Sequence, residues 1–295
     1  MGVMTFKTYK DIKTFYTAVY DILLCGEVQN LVPLGNIIIG NEGKDKTEWR
    51  DSANWFMATV SDANGIKLTA LMTPPFNLTL YMTDNIENED ALDSLVDGLL
   101  SENITIPGIL AENSLAILFA EKYAKVFGKP YHTNMKMRIH QLQKVNLQPN
   151  PTNKIRLLTE NDMDFFPFWV ECMNYDFFEK PIKINDDIKK YLHLINQKNC
   201  YILEDNGIPV TIAKASRPMQ TVCGVADVYT PPYFRRRGYA TSCVAQLSQL
   251  LLDKGYEKCA LYTDLSNPIS NSIYKKVGYT PVCDTLDIKF EEEQK

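Results

Sequence analysis

In the second half of the chain, apolar residues recur at helical spacing in several places. Phe165, Phe168, Trp169, Cys172 and Met173 share one helical face, with Asn161 or Asp162 ahead of them as a cap. Ile188, Tyr191, Leu192 and Ile195 repeat the pattern within 185–197, and Val244, Leu247, Leu250 and Leu251 repeat it within 238–252. Short apolar or alternating runs mark strands at 154–158, 200–203, 210–214, 222–229, 258–263 and 286–290. Asp205-Asn206-Gly207 turns one of these runs into the next, because Asn and Gly accept positive φ at little cost. With a further helix over 270–277 the order is βααβββαβαβ, which predicts an α/β fold, a mixed sheet with helices on both faces.

The first half reads as a worn copy. Runs at 55–60 and 66–72 flank Asn64-Gly65, a helix is expected over 90–100 and a strand over 106–111. Another helix ends in Tyr123-Ala-Lys-Val-Phe-Gly128, an echo of Tyr274-Lys-Lys-Val-Gly278. The hairpin glycine precedes this tyrosine by 58 residues in the first half (65 to 123) and by 67 in the second (207 to 274). A degenerate duplication accounts for the echo, as does chance. Between the halves, 144–153 carries two prolines and three asparagines and little to bury. The expected division is an N-terminal α/β domain at 1–145, a linker at 146–153 and a second domain at 154–295.

Composition narrows the function. The 295 residues are 45% apolar and 23% charged, enough for two cores and too little charge for disorder. A net charge of −5 argues against broad nucleic-acid binding, which needs a basic face to displace counterions. The longest apolar stretches, 68–72 and 115–120, fall far short of the ~20 residues of a membrane span, and the first ten residues lack a signal peptide's apolar run. Seven cysteines without a C-x-x-C and three scattered histidines predict neither a disulfide framework nor a metal site. The expected location is the cytoplasm, with no nucleic-acid or membrane partner.

The chemistry concentrates in one loop. A strand runs out at Thr230 and two prolines stop it; Arg235, Arg236, Arg237, Gly238, Tyr239, Ala240 and Thr241 then lead into an apolar helix. Free amides and the dipole of a helix start, beside arginines and a glycine, make an anion site. The spacing matches neither a Walker loop nor a dinucleotide fingerprint, which argues against kinases, ATPases and NAD enzymes. Taken alone, the arginines also fit a solvated cluster. Downstream, Asn267 lies seven residues before Tyr274, and Asn271 and Tyr274 share a helical face. Alone, this second piece also fits a helix cap beside a half-buried tyrosine.

Together, Arg235-x-x-Gly238-x-Ala240, Asn267-x₆-Tyr274 and Val277-Gly278-Tyr279 resemble the GCN5-related N-acetyltransferases, the GNAT family, over residues 154 to about 290. The resemblance implies two parallel strands that splay to admit the pantetheine arm of acetyl-CoA. Backbone groups of Val228, Tyr229 and Thr230 would pair with that arm, amides of Arg236 to Thr241 would hold the pyrophosphate, and Asn267 and Asn271 would bond the arm from the other side. Guanidiniums of Arg235 to Arg237, with Lys275 or Lys276, would screen phosphate charge. The implied reaction is direct attack of an amine on the acetyl carbonyl, with an N–H near Val228 stabilising the oxyanion and Tyr274 as general acid.

No base is assigned: Asp227, Glu171 and Glu204 each read more simply as a solvated carboxylate or cap. Residues 175–178 are expected near the acceptor, a small-molecule or peptide amine. A non-catalytic acyl-CoA-binding protein, or an N-acyltransferase using another acyl-CoA, fits the same motifs. The first half lacks R-x-x-G-x-A and carries Ala116 seven residues before Tyr123, so it is expected to have lost coenzyme binding.

Overall fold

The computed structural model describes residues 3–43, 51–83, 89–148, 150–183 and 188–291. The chain divides into two compact units: Met1–Ile139 with Thr263–Ser266 and Pro281–Lys295, and His140–Tyr262 with Asn267–Thr280.

The first half runs β1 (Thr5–Thr8), α1 (Ile12–Leu24), α2 (Leu31–Glu42), β2 (Phe56–Asp62), β3 (Gly65–Met72), β4 (Leu78–Met82), α3 (Glu89–Ser101), β5 (Gly108–Glu112), α4 (Asn113–Phe127) and β6 (Tyr131–Leu142). The second half runs β7 (Asn153–Leu157), α5 (Phe166–Phe178), α6 (Ile188–Asn196), β8 (Cys200–Asp205), β9 (Ile208–Ser216), β10 (Val222–Tyr229), α7 (Tyr239–Asp253), β11 (Lys258–Asp264), α8 (Pro268–Val277) and β12 (Thr280–Phe290). Both halves therefore carry the same order, βααβββαβαβ, and the duplication suggested by the turn motifs extends to every element. The expected start of α6 at 185 lies outside the described residues.

In the first unit, β1 to β4 form an antiparallel run, and β4 pairs with β5 in parallel at Leu78/Ile109 and Thr79/Leu110. The other edge of β5 is filled by β12, antiparallel from Thr285/Glu112 to Lys289/Gly108. Polar side chains fasten this strand. Asn77 and Asn134 both donate to the Asp287 carboxylate, the latter at 2.7 Å, and Lys289 donates to the Asn77 amide oxygen at 2.6 Å. Leu286, Ile288 and Phe290 join Leu95, Phe119 and Tyr123 in the core. Tyr123 is fully buried and its hydroxyl accepts from the Ile106 amide at 3.1 Å. The first-half counterpart of Tyr274 is thus a core residue.

The second unit orders its strands β7-β8-β9-β10-β11, antiparallel except for the parallel pair β10/β11. Helix α7 buries Val244, Leu247 and Leu251 against this sheet, each worth about 1.5–3 kcal/mol of transfer free energy. The 146–153 segment is tied into this unit: the Asn146 amide donates to the Val277 carbonyl at 2.9 Å and Asn153 begins β7. The expected domains are consecutive stretches of chain, whereas the compact units assign Pro281–Lys295 to the first unit.

Candidate active site

Strands β10 and β11 pair only from Val222/Lys258 to Gly224/Ala260, while β10 continues five residues further, to Tyr229. Beyond Gly224 the two strands part. On its other edge β10 carries a bulge: three steps from Ala226 to Tyr229 span two steps of β9, from Lys214 to Ile212. Asp227 adopts φ 53° there, and the inserted residue re-aims the strand end, as bulges beside functional sites do. Thr230 follows, its hydroxyl bonded to that of Thr211 at 2.8 Å.

The loop after β10 is built from tight turns. Pro232–Phe234 form one turn of 3-10 helix, and Arg236 and Gly238 both take left-handed conformations (φ 64° and 82°). The first bond into α7 is from the Ser242 amide to the Gly238 carbonyl at 3.0 Å, so the amides ahead of it have no acceptor within the helix. Successive amides turned by alternating backbone hand form an anion-binding concavity, reinforced by the helix dipole.

A cavity of roughly 750 Å³ lies against this loop, large enough for an extended organic ligand. Val228, Tyr229, Thr230, Arg235, Arg236, Gly238, Tyr239, Ala240, Thr241, Asn267 and Tyr274 all line it. Two expected residues do not. Arg237 is exposed outside the lining, and Asn271 turns its amide back to the Asn267 carbonyl at 2.8 Å, as a side chain serving the helix start does. Asn267 combines both readings: its side chain caps α8 by accepting from the Ser270 amide at 3.1 Å, and it borders the cavity. Lys276, not Lys275, lines the wall.

Tyr274 packs edge-to-face on Tyr279, ring centroids 5.9 Å apart. Burial pushes its phenol up to about 12, so it remains protonated throughout the neutral range. Burial likewise raises the nearby Cys223 and Cys243 thiols to about 12, which makes them inert as nucleophiles at neutral pH. The three carboxylates weighed as bases are engaged elsewhere. Glu171 accepts from Lys190 at 2.7 Å and Tyr191 at 2.9 Å, Glu204 accepts from Arg156 at 2.7 Å, and Asp227 faces Lys214 at 3.9 Å.

Asp176 and Phe234 line the cavity from outside the sequence motifs, and Ile269, Ser270 and Ile273 line it from the unspecified positions of Asn267-x₆-Tyr274. Ile269, Ile273 and Lys276 recur at i, i+4 and i+7 along α8, a periodicity legible in the sequence. Phe177, from the stretch 175–178 expected near the acceptor, also lines this cavity. Among the described residues no group of His, Cys, Asp and Glu side chains is arranged to hold a metal, and no helix is long and apolar enough to cross a membrane.

Residues 156–279 match the model of the acetyltransferase (GNAT) family. Curated protein sequences give no match to the chain. Among solved structures, a Drosophila protein shares the fold with a TM-score of 0.63 at 12% identity, covering 97% of this chain and 98% of its own. A GNAT-family acetyltransferase from Colwellia psychrerythraea follows at 0.58 and 10%, covering 98% and 100%. A tandem GNAT protein from the clavulanic acid biosynthesis pathway gives 0.55 and 9%, covering 98% of each chain. At such identities the likeness is one of fold, and it spans both halves. The open strand pair, the arginine loop and the cavity-lining tyrosine all fall within residues 156–279, the stretch that matches the model of the GNAT acetyltransferase family.

Proposed function

We propose that this protein is an acetyl-CoA-dependent N-acetyltransferase that moves an acetyl group directly to a primary amine, with Tyr274 as general acid. One observation carries the reading: the parting of β10 from β11 beyond Gly224 opens onto the start of α7, and Tyr274 stands in the wall of the same cavity. The amides of Arg236 to Thr241 hold the pyrophosphate, and the side chains of Arg236 and Lys276 supply positive charge beside it. Backbone groups of Val228 to Thr230 receive the pantetheine arm as a neighbouring strand would. The bulge leaves the Val228 amide out of register with β9, available to the carbonyl oxygen as charge develops there. The C–N bond forms as the C–S bond breaks, Tyr274 donates a hydrogen bond to the departing sulfur, and the proton that the amine gives up is in net taken by that sulfur, while the buried thiols keep theirs.

The test combines calorimetry and turnover. Acetyl-CoA and CoA are titrated into the full chain, and free thiol release is followed with a panel of primary amines. Binding together with amine-dependent thiol release is expected. Absence of binding at millimolar ligand overturns the coenzyme site, and binding without turnover across the panel overturns the enzyme in favour of a binding protein.

A further inference from the structure

The arginine that opens the R-x-x-G-x-A motif is not extended toward a phosphate. Arg235 Nε donates to the Thr230 carbonyl at 2.9 Å, its Nη2 is hydrogen-bonded to the Asp176 carboxylate, and the guanidinium carbon lies 5.8 Å from the centroid of the Tyr229 ring. Its planar fork is thereby held on three sides. Asp176 comes from the last turn of α5, 59 residues earlier, and is the one carboxylate among the described residues lining the cavity. Phe177, beside it, lines the cavity too.

On the coenzyme reading above, we infer that Asp176 is a positioning residue for acetyl-CoA: it fixes Arg235, and Arg235 fixes the carbonyl at which β10 passes into the loop. Thr230 is then clamped at both its carbonyl and its hydroxyl, the latter by Thr211. The strand end that receives the pantetheine arm and the turn that presents the amides keep a fixed relation before ligand arrives. Preorganisation of this kind is expressed as affinity. It is scarcely expressed as global stability, because the two side chains are 44% and 32% exposed and ion pairs so close to water contribute little to folding. Asp176 touches no reacting atom in this arrangement; it acts through Arg235.

The experiment compares Asp176→Asn, Asp176→Glu, Arg235→Gln and the double variant Asp176→Asn/Arg235→Gln. Readouts are acetyl-CoA affinity by calorimetry, steady-state constants and thermal melting. Asp176→Asn is expected to weaken acetyl-CoA binding and raise its KM about tenfold, the scale of one charge-assisted hydrogen bond, with kcat at saturation falling less than about twofold. Asp176→Glu should recover most of the loss, and the double variant should bind no worse than Arg235→Gln alone. Wild-type affinity in Asp176→Asn overturns the inference. So does a rise in the amine's KM instead, which would make Asp176 an acceptor contact, or additive losses in the double variant. A wild-type protein that binds no acetyl-CoA overturns the coenzyme reading itself, an outcome visible before any variant is made.

Discussion

Replacing Tyr274 with Phe removes one hydroxyl and little else. The ring keeps its edge-to-face packing on Tyr279, and among the described residues the hydroxyl bonds no group of the chain, so stability should change by less than about 0.5 kcal/mol. The kinetic cost follows from acidity. A phenol at about 12 lies about 3.5 units above a simple thiol near 8.5, so complete proton transfer to a free thiolate is uphill by about 5 kcal/mol. In the proposed reaction Tyr274 would therefore contribute chiefly by donating a hydrogen bond as charge gathers on sulfur, at the lower end of the roughly 10²–10⁴ range for acid catalysis. We expect kcat to fall about 100-fold, or roughly 2.7 kcal/mol, with the KM for acetyl-CoA within about twofold of the wild type. Because the folded pKa is raised above the ordinary phenol value of 10.0, the neutral form is favoured by folding. That contribution is fully present below about pH 10 and is lost as pH rises toward about 12. Activity should accordingly show no alkaline limb from this group below about pH 11. The assay is thiol release under saturating amine across pH, beside calorimetric binding. A Phe variant with wild-type kcat refutes the assignment, as does an alkaline limb near about pH 8 that disappears in the variant.

Local geometry sets the outcome of three other substitutions. Gly238→Ala forces a side chain into φ 82° and places a methyl group on the loop that would carry the pyrophosphate. It should cost about 1–2 kcal/mol by thermal melting and weaken acetyl-CoA binding more than about tenfold; unchanged affinity would move the phosphate site elsewhere. Asp162 is buried, which alone would raise its pKa, but two hydrogen bonds from Arg156 at 2.7 Å and those from Thr159 outweigh burial and hold it below the usual range. Its stabilisation is present above about pH 4 and lost as pH falls through the depressed value. Asp162→Asn should lose about 3 kcal/mol at about pH 7 and flatten the acid side of the melting profile; a melting temperature equal to wild type at that pH contradicts this. In Gly108→Ala the added carbon would collide with the Ile288 carbonyl and come within 2.7 Å of the Asn77 amide oxygen. A loss of about 2 kcal/mol and faster proteolysis within β12 are expected, and a variant as resistant as wild type removes the close approach from the account.

Where a local rule governs, the chain is readable. Asn206-Gly207 adopts the positive φ values its turn needs (50° and 83°), and Arg235-x-x-Gly238-x-Ala240 leads into a helix start beside a cavity. Where a partner is remote or a pattern is masked by burial, it is not. Helix α2 is illegible because it is buried nearly all round, from Leu31 to Gly40, leaving no polar stripe to set a period. Strand β6 is illegible for the opposite reason: from Tyr131 its first residues are exposed on both faces, and only Met135, Met137 and Ile139 alternate. Asp176 carries no motif, since its meaning arises only when 59 residues of chain bring Arg235 beside it. Asn271 shows the converse, a residue suggested by spacing whose amide serves its own helix.

The seating of β12 on β5 has a temporal consequence. A ribosome making this protein releases nearly all of the second half before the strand that closes the core around Phe119 and Tyr123 exists. Until then the edge at Gly108–Glu112 is an unsatisfied row of amides and carbonyls, the kind of surface that recruits foreign strands. The nascent first half is thus a client for chaperones by construction, and a gene cut between the halves would yield a fragment that never finds its missing edge.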